Sequence, residues 1–347
     1  MKGNKVLVAM SGGVDSSACA LLLQQQGYEC DGAMLNLLPG GNETRDAEAV
    51  AQRLGMHFTL VDQQEVFRRE VMDHFVSEYC HGRTPNPCID CNRCLKFGAL
   101  VDWALSHGYD YLATGHYARV TTDPKTGRRI LLRGANRQKD QSYVLYQLTQ
   151  HQLRHLLLPV GDFDKPSIRD SARQAGLENA DKSDSQDICF IPDGDYTAFL
   201  RAQGAELKPG CFVDAQGRVL GRHKGLPCYT AGQRKGLGVS AGHPVYVVRK
   251  NAEDNTILLG EESDLYRTTL TACRVNWISG EIPTEPVRCQ ARTRYSHHEA
   301  DAVAEALPGG RMKVTFDQSV RAITAGQAVV LYRGDEVLGG GTIEEAD

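Results

Sequence analysis

Lys5-Val6-Leu7-Val8-Ala9-Met10-Ser11-Gly12-Gly13-Val14-Asp15-Ser16-Ser17 is the stretch that decides the fold. The apolar run ending at Met10 reads as a short strand buried on both faces. Residues 16–26 read as a helix, with Gly27 as the residue that stops it. Glycines between such a strand and helix let the backbone come close to a phosphate, and the helix N-terminus offers free N–H groups and a positive dipole end. Ser11, Ser16 and Ser17 add hydroxyl donors, and Asp15 is placed to help hold Mg2+ or to cap the helix. No Gly-Lys-Ser/Thr ending follows, so this is not the kinase-type phosphate loop.

Outward from this loop, strand patterns at 30–36, 57–61 and 110–114 alternate with helix patterns at 44–54, 63–80 and 95–107. Such alternation predicts an α/β fold with a doubly wound parallel sheet, whose ligands bind beyond the carboxyl ends of the strands. The segment 81–94 carries two prolines and three cysteines and is expected to be irregular, so that its thiols project into a cleft. A hairpin is predicted over 118–133, and a helix with Pro166 near its start runs to Ala175. Beyond about residue 205, short β-rich runs separated by glycine turns predict small β domains. The expected division is an α/β catalytic domain at 1–197, a small β-rich central domain at 198–268 and a β-barrel at 269–347.

The formal net charge is −4, so binding to nucleic acid would have to come from local basic clusters. One cluster comprises Arg218, Arg222, His223, Lys224, Arg234 and Lys235, with Tyr229 among them. A second comprises Arg294, Tyr295, His297 and His298. If this second stretch is a strand, its two histidines face opposite ways and make a poor metal pair. No apolar run approaches the roughly 20 residues of a membrane span. The chain starts without a signal-peptide layout, so a cytoplasmic location is expected.

Eleven cysteines in 347 residues do not resemble a secreted disulfide framework; in a reducing compartment they are structural, metal-binding or catalytic. Cys88, Cys91 and Cys94 form a C-x-x-C-x-x-C run, and Cys189 lies in Asp184-Ser185-Gln186-Asp187-Ile188-Cys189-Phe190-Ile191. Sulfur transfer needs a cysteine that carries a persulfide and often a second thiol to resolve it, with positive charge nearby to favour the thiolate; Arg93 and Lys96 could supply that charge. The same run could hold a structural zinc or an iron–sulfur cluster. Cys94 is read as a bystander.

Taken together these strings resemble the bacterial tRNA-specific 2-thiouridylases of the PP-loop ATP pyrophosphatase superfamily, over nearly the whole chain. The likeness includes the loop at 9–17, Gly82-Arg83-Thr84-Pro85-Asn86-Pro87 with Cys91-Asn92, and Ala113-Thr114-Gly115-His116-Tyr117-Ala118. It continues through Lys96-Phe97, Lys139-Asp140-Gln141-Ser142-Tyr143, Asp184 to Ile191, Gly232 to Gly238 and Arg294-Tyr295. The resemblance implies ATP-dependent 2-thiolation of a wobble uridine in tRNA by adenylation and sulfur transfer. ATP with Mg2+ would sit on Ala9, Met10, Ser11, Gly12, Gly13, Val14, Asp15 and Ser16, with Met34 and Gly115 near the adenosine. Cys91 matches the family's nucleophile and Cys189 its persulfide carrier, with a transient disulfide between them. Asn86, Pro87 and Cys88 would face the target base. His116, Lys139, Asp140, Gln141, Arg294, Tyr295 and Gln327 would contact tRNA. A persulfide-donating sulfur carrier or cysteine desulfurase is the implied partner. Cys88 stands where many members have an aspartate assigned as general acid or base. That departure raises the alternative of an iron–sulfur cluster on Cys88, Cys91 and Cys189. A reading from another class is a PP-loop ligase that amidates a small molecule, and a further one is a tRNA-binding protein without catalysis.

Overall fold

The computed structural model describes residues 4–39, 43–182 and 188–346. Strand β1 (Lys5–Ala9) is followed by the helix Val14–Gln25, β2 (Glu29–Asn36), the helix Glu43–Arg53 and β3 (Phe58–Asp62). Gly27 and Gly55 follow the two helices at φ 86° and 68°, the left-handed conformation that ends a helix cheaply only at glycine. With β4 (Tyr111–Ala113) and β7 (Leu156–Leu157) these strands form a parallel sheet in the order β3-β2-β1-β4-β7. The order reverses at β1, and the glycine loop lies at the carboxyl end of that strand. Val6, Leu7 and Val8 are fully buried, as an unbroken apolar strand between two helical layers requires.

Two long helices depart from the expected picture. Residues 64–80 form one helix interrupted by a π-turn at Arg68–Asp73. Residues 87–106 form another, with a π-turn at Asn92–Ala99. The expectation that 81–94 is irregular is therefore wrong for its second half. Pro87 stands in the first turn, where its missing N–H costs nothing, and the Asn86 side chain accepts from the Cys88 N–H at 3.1 Å.

The hairpin of β5 (Ala118–Thr122) and β6 (Arg129–Arg133) forms as predicted, but it reaches out of the parallel-sheet layer and pairs with β17 (Glu336–Ala346). A second sheet follows, of β8 (Gly210–Val213), β9 (Val219–His223), β10 (Tyr246–Asn251) and β11 (Thr256–Gly260), in the order β10-β11-β8-β9. The remaining strands are β12 (Tyr266–Trp277), β13 (Val287–Arg292), β14 (Ala300–Leu307), β15 (Arg311–Arg321), β16 (Ala328–Arg333) and β17 (Glu336–Ala346). They close into a six-stranded barrel through the β12–β17 pairing.

Barrel and α/β layer share a core. Phe97, Leu100, Tyr143 and Tyr146 pack in one apolar cluster with Ala328, Val330, Tyr332 and Val337. The Tyr143 hydroxyl donates to the Ala328 carbonyl at 2.8 Å. No helix among the described residues is long and apolar enough to cross a membrane.

Candidate functional site

Gly12 takes φ 71°, and Gly13 is extended and caps the first helix without a side chain. The Ser16 and Ser17 hydroxyls both donate to the Gly13 carbonyl, at 2.9 and 3.1 Å. The Asn179 amide donates to the Gly12 carbonyl at 3.1 Å and to the Ser17 hydroxyl at 2.8 Å. The carbonyls of the turn are thus held inward, and the first N–H groups of the helix have no acceptor within it. This donor-rich, glycine-lined turn fits a polyphosphate.

Asp15 is not the helix cap. Lys165 Nζ meets both its oxygens at 2.7 and 2.8 Å, and the Tyr117 hydroxyl donates to it at 2.8 Å. With its carboxylate so engaged, Asp15 does not present a Mg2+ ligand in this arrangement. Ala9 and Met10 continue β1 into the loop, and the Met10 N–H donates to Ala33 at 2.7 Å. Met34 lies half-buried beside them on β2. Gly115, expected near the adenosine, lies against the loop itself: a Cβ there would come within 2.6 Å of the Asp15 carbonyl carbon.

The next residues tie this loop to the thiols. His116 is held by the Thr114 hydroxyl at 2.7 Å and by the Phe97 ring, with centroids 5.5 Å apart. Burial, aided by the Lys96 ammonium, pushes its imidazole well below the ordinary range. His116 is consequently a neutral group at physiological pH.

Cys88, Cys91 and Cys94 sit one turn apart on the helix 87–106. Cys91 is 8% exposed and packs with Phe67, Phe75 and Phe190. Phe190 contacts the rings of Phe67, Phe75 and Phe199 at 5.7, 5.4 and 5.1 Å. That aromatic anchor pins the residue before it, the exposed Cys189, within electrostatic reach of Cys91. Burial pushes the Cys91 thiol up to about 11, opposed by Lys96 and reinforced by Cys189, Cys88 and Cys94. Cys88 is exposed at the surface yet recessed; desolvation raises its thiol and Lys96 opposes the shift. Lys96 is therefore the cation that acts on this pair. Arg93 is engaged by Asp90 at 3.4 Å and acts on Cys94. Asp184 to Asp187 lie outside the described residues. Among the described residues no three Cys, His, Asp or Glu side chains converge as metal ligands.

Several expected tRNA contacts have internal duties. The Asp140 carboxylate is buried and accepts from the N–H groups of Gly134 and Ser142 at 3.0 and 3.1 Å and from the Ser142 hydroxyl at 2.9 Å. It faces the protein, not RNA. Gln141 accepts from the Tyr117 N–H at 2.9 Å. Gln327 donates to the Thr84 carbonyl at 2.6 Å, fastening the barrel to the loop before Asn86. Arg294 donates to the Ala231 carbonyl at 3.1 Å and to the Thr324 hydroxyl, bridging the barrel and the loop before β10; its buried Nε has no partner. His223 and Tyr229 are buried in the central domain, leaving Arg222, Lys224, Arg234 and Lys235 exposed. His297 and His298 lie in the β13–β14 turn rather than on a strand. Tyr295, 42% exposed, donates to the Asp140 carbonyl at 3.2 Å and lies within electrostatic reach of Lys139 and Cys88. Arg292 lies beside it, 5.3 Å from the ring centre. Sequence reasoning missed Arg292, Lys165 and Asn179, whose partners are brought to them only by tertiary folding.

Three family models match in succession: a tRNA methyl transferase HUP domain over 4–193, its PRC-barrel domain over 197–261 and an aminomethyltransferase beta-barrel domain over 267–343. The chain is 47% identical to the tRNA-specific 2-thiouridylase MnmA of Acetivibrio thermocellus, covering 99% of this chain and 100% of that one. It belongs to the tRNA-specific 2-thiouridylase family. The corresponding protein of Carboxydothermus hydrogenoformans is 50% identical, with 98% of each chain covered. Among solved structures, a 4-thiouridine synthetase–RNA complex with bound ATP aligns at 16% identity over 58% of this chain and 50% of that one, with a TM-score of 0.38, too slight a likeness to bear on function.

Proposed function

We propose that this chain uses ATP to replace the C2 oxygen of the wobble uridine of tRNA with sulfur, acting in the cytoplasm. The observation that carries the reading is the Thr114–Tyr117 segment. Gly115 and Tyr117 pack on the glycine loop, while His116 stands in the field of Lys96, the cation that also acts on Cys88 and Cys91. Phosphate chemistry and thiol chemistry are thereby held in one unit. The division at 1–197, 198–268 and 269–347 assigns catalysis to the first part and RNA docking to the other two.

ATP lies along residues 9–16, its adenosine near Met34, and Mg2+ arrives with it as part of the substrate. The uridine C2 oxygen attacks the α-phosphorus and pyrophosphate leaves, held by the loop N–H groups. Asn86, Pro87 and Cys88 face the base, and Tyr295, Lys139, His116 and Arg294 line the RNA approach. A cysteine desulfurase or sulfur carrier has loaded Cys189 as a persulfide. Its outer sulfur attacks C2 and AMP departs. The Cys91 thiolate attacks the Cys189 sulfur, the S–S bond breaks, and sulfur stays on the base while a Cys91–Cys189 disulfide forms.

AMP release measured with and without tRNA, in the wild type and in Cys91→Ser and Cys189→Ser, tests this scheme. The expected result is RNA-stimulated AMP release with thiolation lost in both variants. AMP formation without RNA and indifference to Cys189 would instead favour the amide ligase. Stoichiometric iron and sulfide after anaerobic purification, with activity tracking the cluster, would favour the cluster alternative.

A further inference from the structure

The persulfide scheme leaves Cys91 joined to Cys189 in a disulfide whose Cys91 sulfur is buried and whose Cys189 sulfur alone is open to an external reductant. Pro87-Cys88-Ile89-Asp90-Cys91 has the layout of a redox dithiol: two cysteines three residues apart at the start of a helix, the first exposed and the second buried. Helix rise and radius put their Cα atoms about 5 Å apart, inside the range of roughly 4.4–6.8 Å that a disulfide accepts. The two thiols are in each other's electrostatic reach, and Lys96 favours the thiolate of both. Cys94, equally spaced on the other side of Cys91, has a different setting: its thiol faces the Glu70 carboxylate at 4.0 Å, and the cation that acts most on it is Arg93, itself engaged by Asp90, rather than Lys96.

We propose that Cys88 regenerates the enzyme by thiol–disulfide exchange; this rests on the persulfide scheme above. The Cys88 thiolate attacks the Cys91 sulfur of the Cys91–Cys189 disulfide. The old S–S bond breaks, Cys189 leaves as thiolate and takes the proton Cys88 gave up, and a Cys88–Cys91 disulfide forms. No net oxidation occurs in that step. An external dithiol then reduces the exposed disulfide, becoming a disulfide itself and returning two thiols. Cys189 is free to be reloaded while Cys91 waits for reduction. A thiol at position 88 in place of a carboxylate thus has a use of its own.

Disulfide mapping by mass spectrometry after turnover with tRNA, ATP, a cysteine desulfurase and cysteine, quenched by alkylation without added dithiol, tests the relay. The wild type should hold Cys88–Cys91. Cys88→Ser should accumulate Cys91–Cys189, and its later rounds should run at least tenfold slower than its own first round when dithiothreitol is supplied. Cys94→Ser should behave as wild type. If the wild type holds only Cys91–Cys189, or no disulfide, or if Cys88→Ser keeps its first-round rate, the relay is wrong. Cys189→Ser separates the two failures: thiolation surviving in that variant overturns the persulfide scheme, whereas its loss beside an unimpaired Cys88→Ser overturns the relay alone.

Discussion

Cys91, the nucleophile of the proposed scheme, is held in the least nucleophilic state of a thiol. Burial among Phe67, Phe75 and Phe190 takes its pKa from 9.0 to about 11, so at neutral pH almost all of it is protonated. The unfolded chain loses this proton at lower pH than the folded one. The neutral thiol therefore favours the fold below about pH 9, and that contribution falls as pH rises from 9 towards 11. Alkylation of Cys91 by iodoacetamide should climb about tenfold per pH unit up to about 11 in the native protein and level off near 9 in denaturant; coincident profiles would contradict the burial argument. In the proposed scheme Lys96, which opposes the upward shift, and substrate contact supply the thiolate. The sequence singled out Cys91 and Cys189 through their strings, yet their nearness depends on Phe190 entering an aromatic cluster built from the helix 64–80. Likewise Asp15 was legible as a loop residue, but its Lys165 partner stands 150 positions away.

Among the elements, the glycine loop and the strands around it were readable because each signal is local: apolar runs for strands, Gly27 for the end of the first helix. The segment 81–94 misled because proline was taken as a breaker. At Pro87 it is a helix starter, and Asn86 completes the cap. Replacing Asn86 by alanine removes the acceptor for the Cys88 N–H and should cost about 1 kcal/mol of stability, as N-cap losses do. Urea unfolding reads this; an unchanged midpoint would show that the turn does not hold the thiol helix. The π-turns in both long helices left no mark in the apolar spacing and could not be foreseen.

At the scale of the whole molecule, the barrel is built onto the α/β layer. Gln327, Tyr143 and Arg294 each fasten one layer to another, and the hairpin β5–β6 leaves its own domain to pair with β17. Pairing across some two hundred residues has no local signature, so the β character of the last third was legible and its junction with the first was not. The basic cluster was legible despite the acidic total charge, but its burial was not: Arg222, Lys224, Arg234 and Lys235 are exposed while neighbouring His223 and Tyr229 are core. If these cations meet phosphates, Arg234→Ala and Lys235→Ala should each weaken tRNA binding across tRNA sequences and lower the salt slope by about 1. Filter binding over a salt series reads both, and unaltered slopes would move RNA to another face. The central claim, sulfur placed at C2 of a tRNA uridine, is tested most directly by nucleoside mass spectrometry of tRNA from cells lacking this protein, complemented with the wild type or Cys189→Ser. We predict loss of 2-thiouridine, restored by the wild type and not by the variant; unchanged 2-thiouridine in the cells lacking the protein would contradict the account.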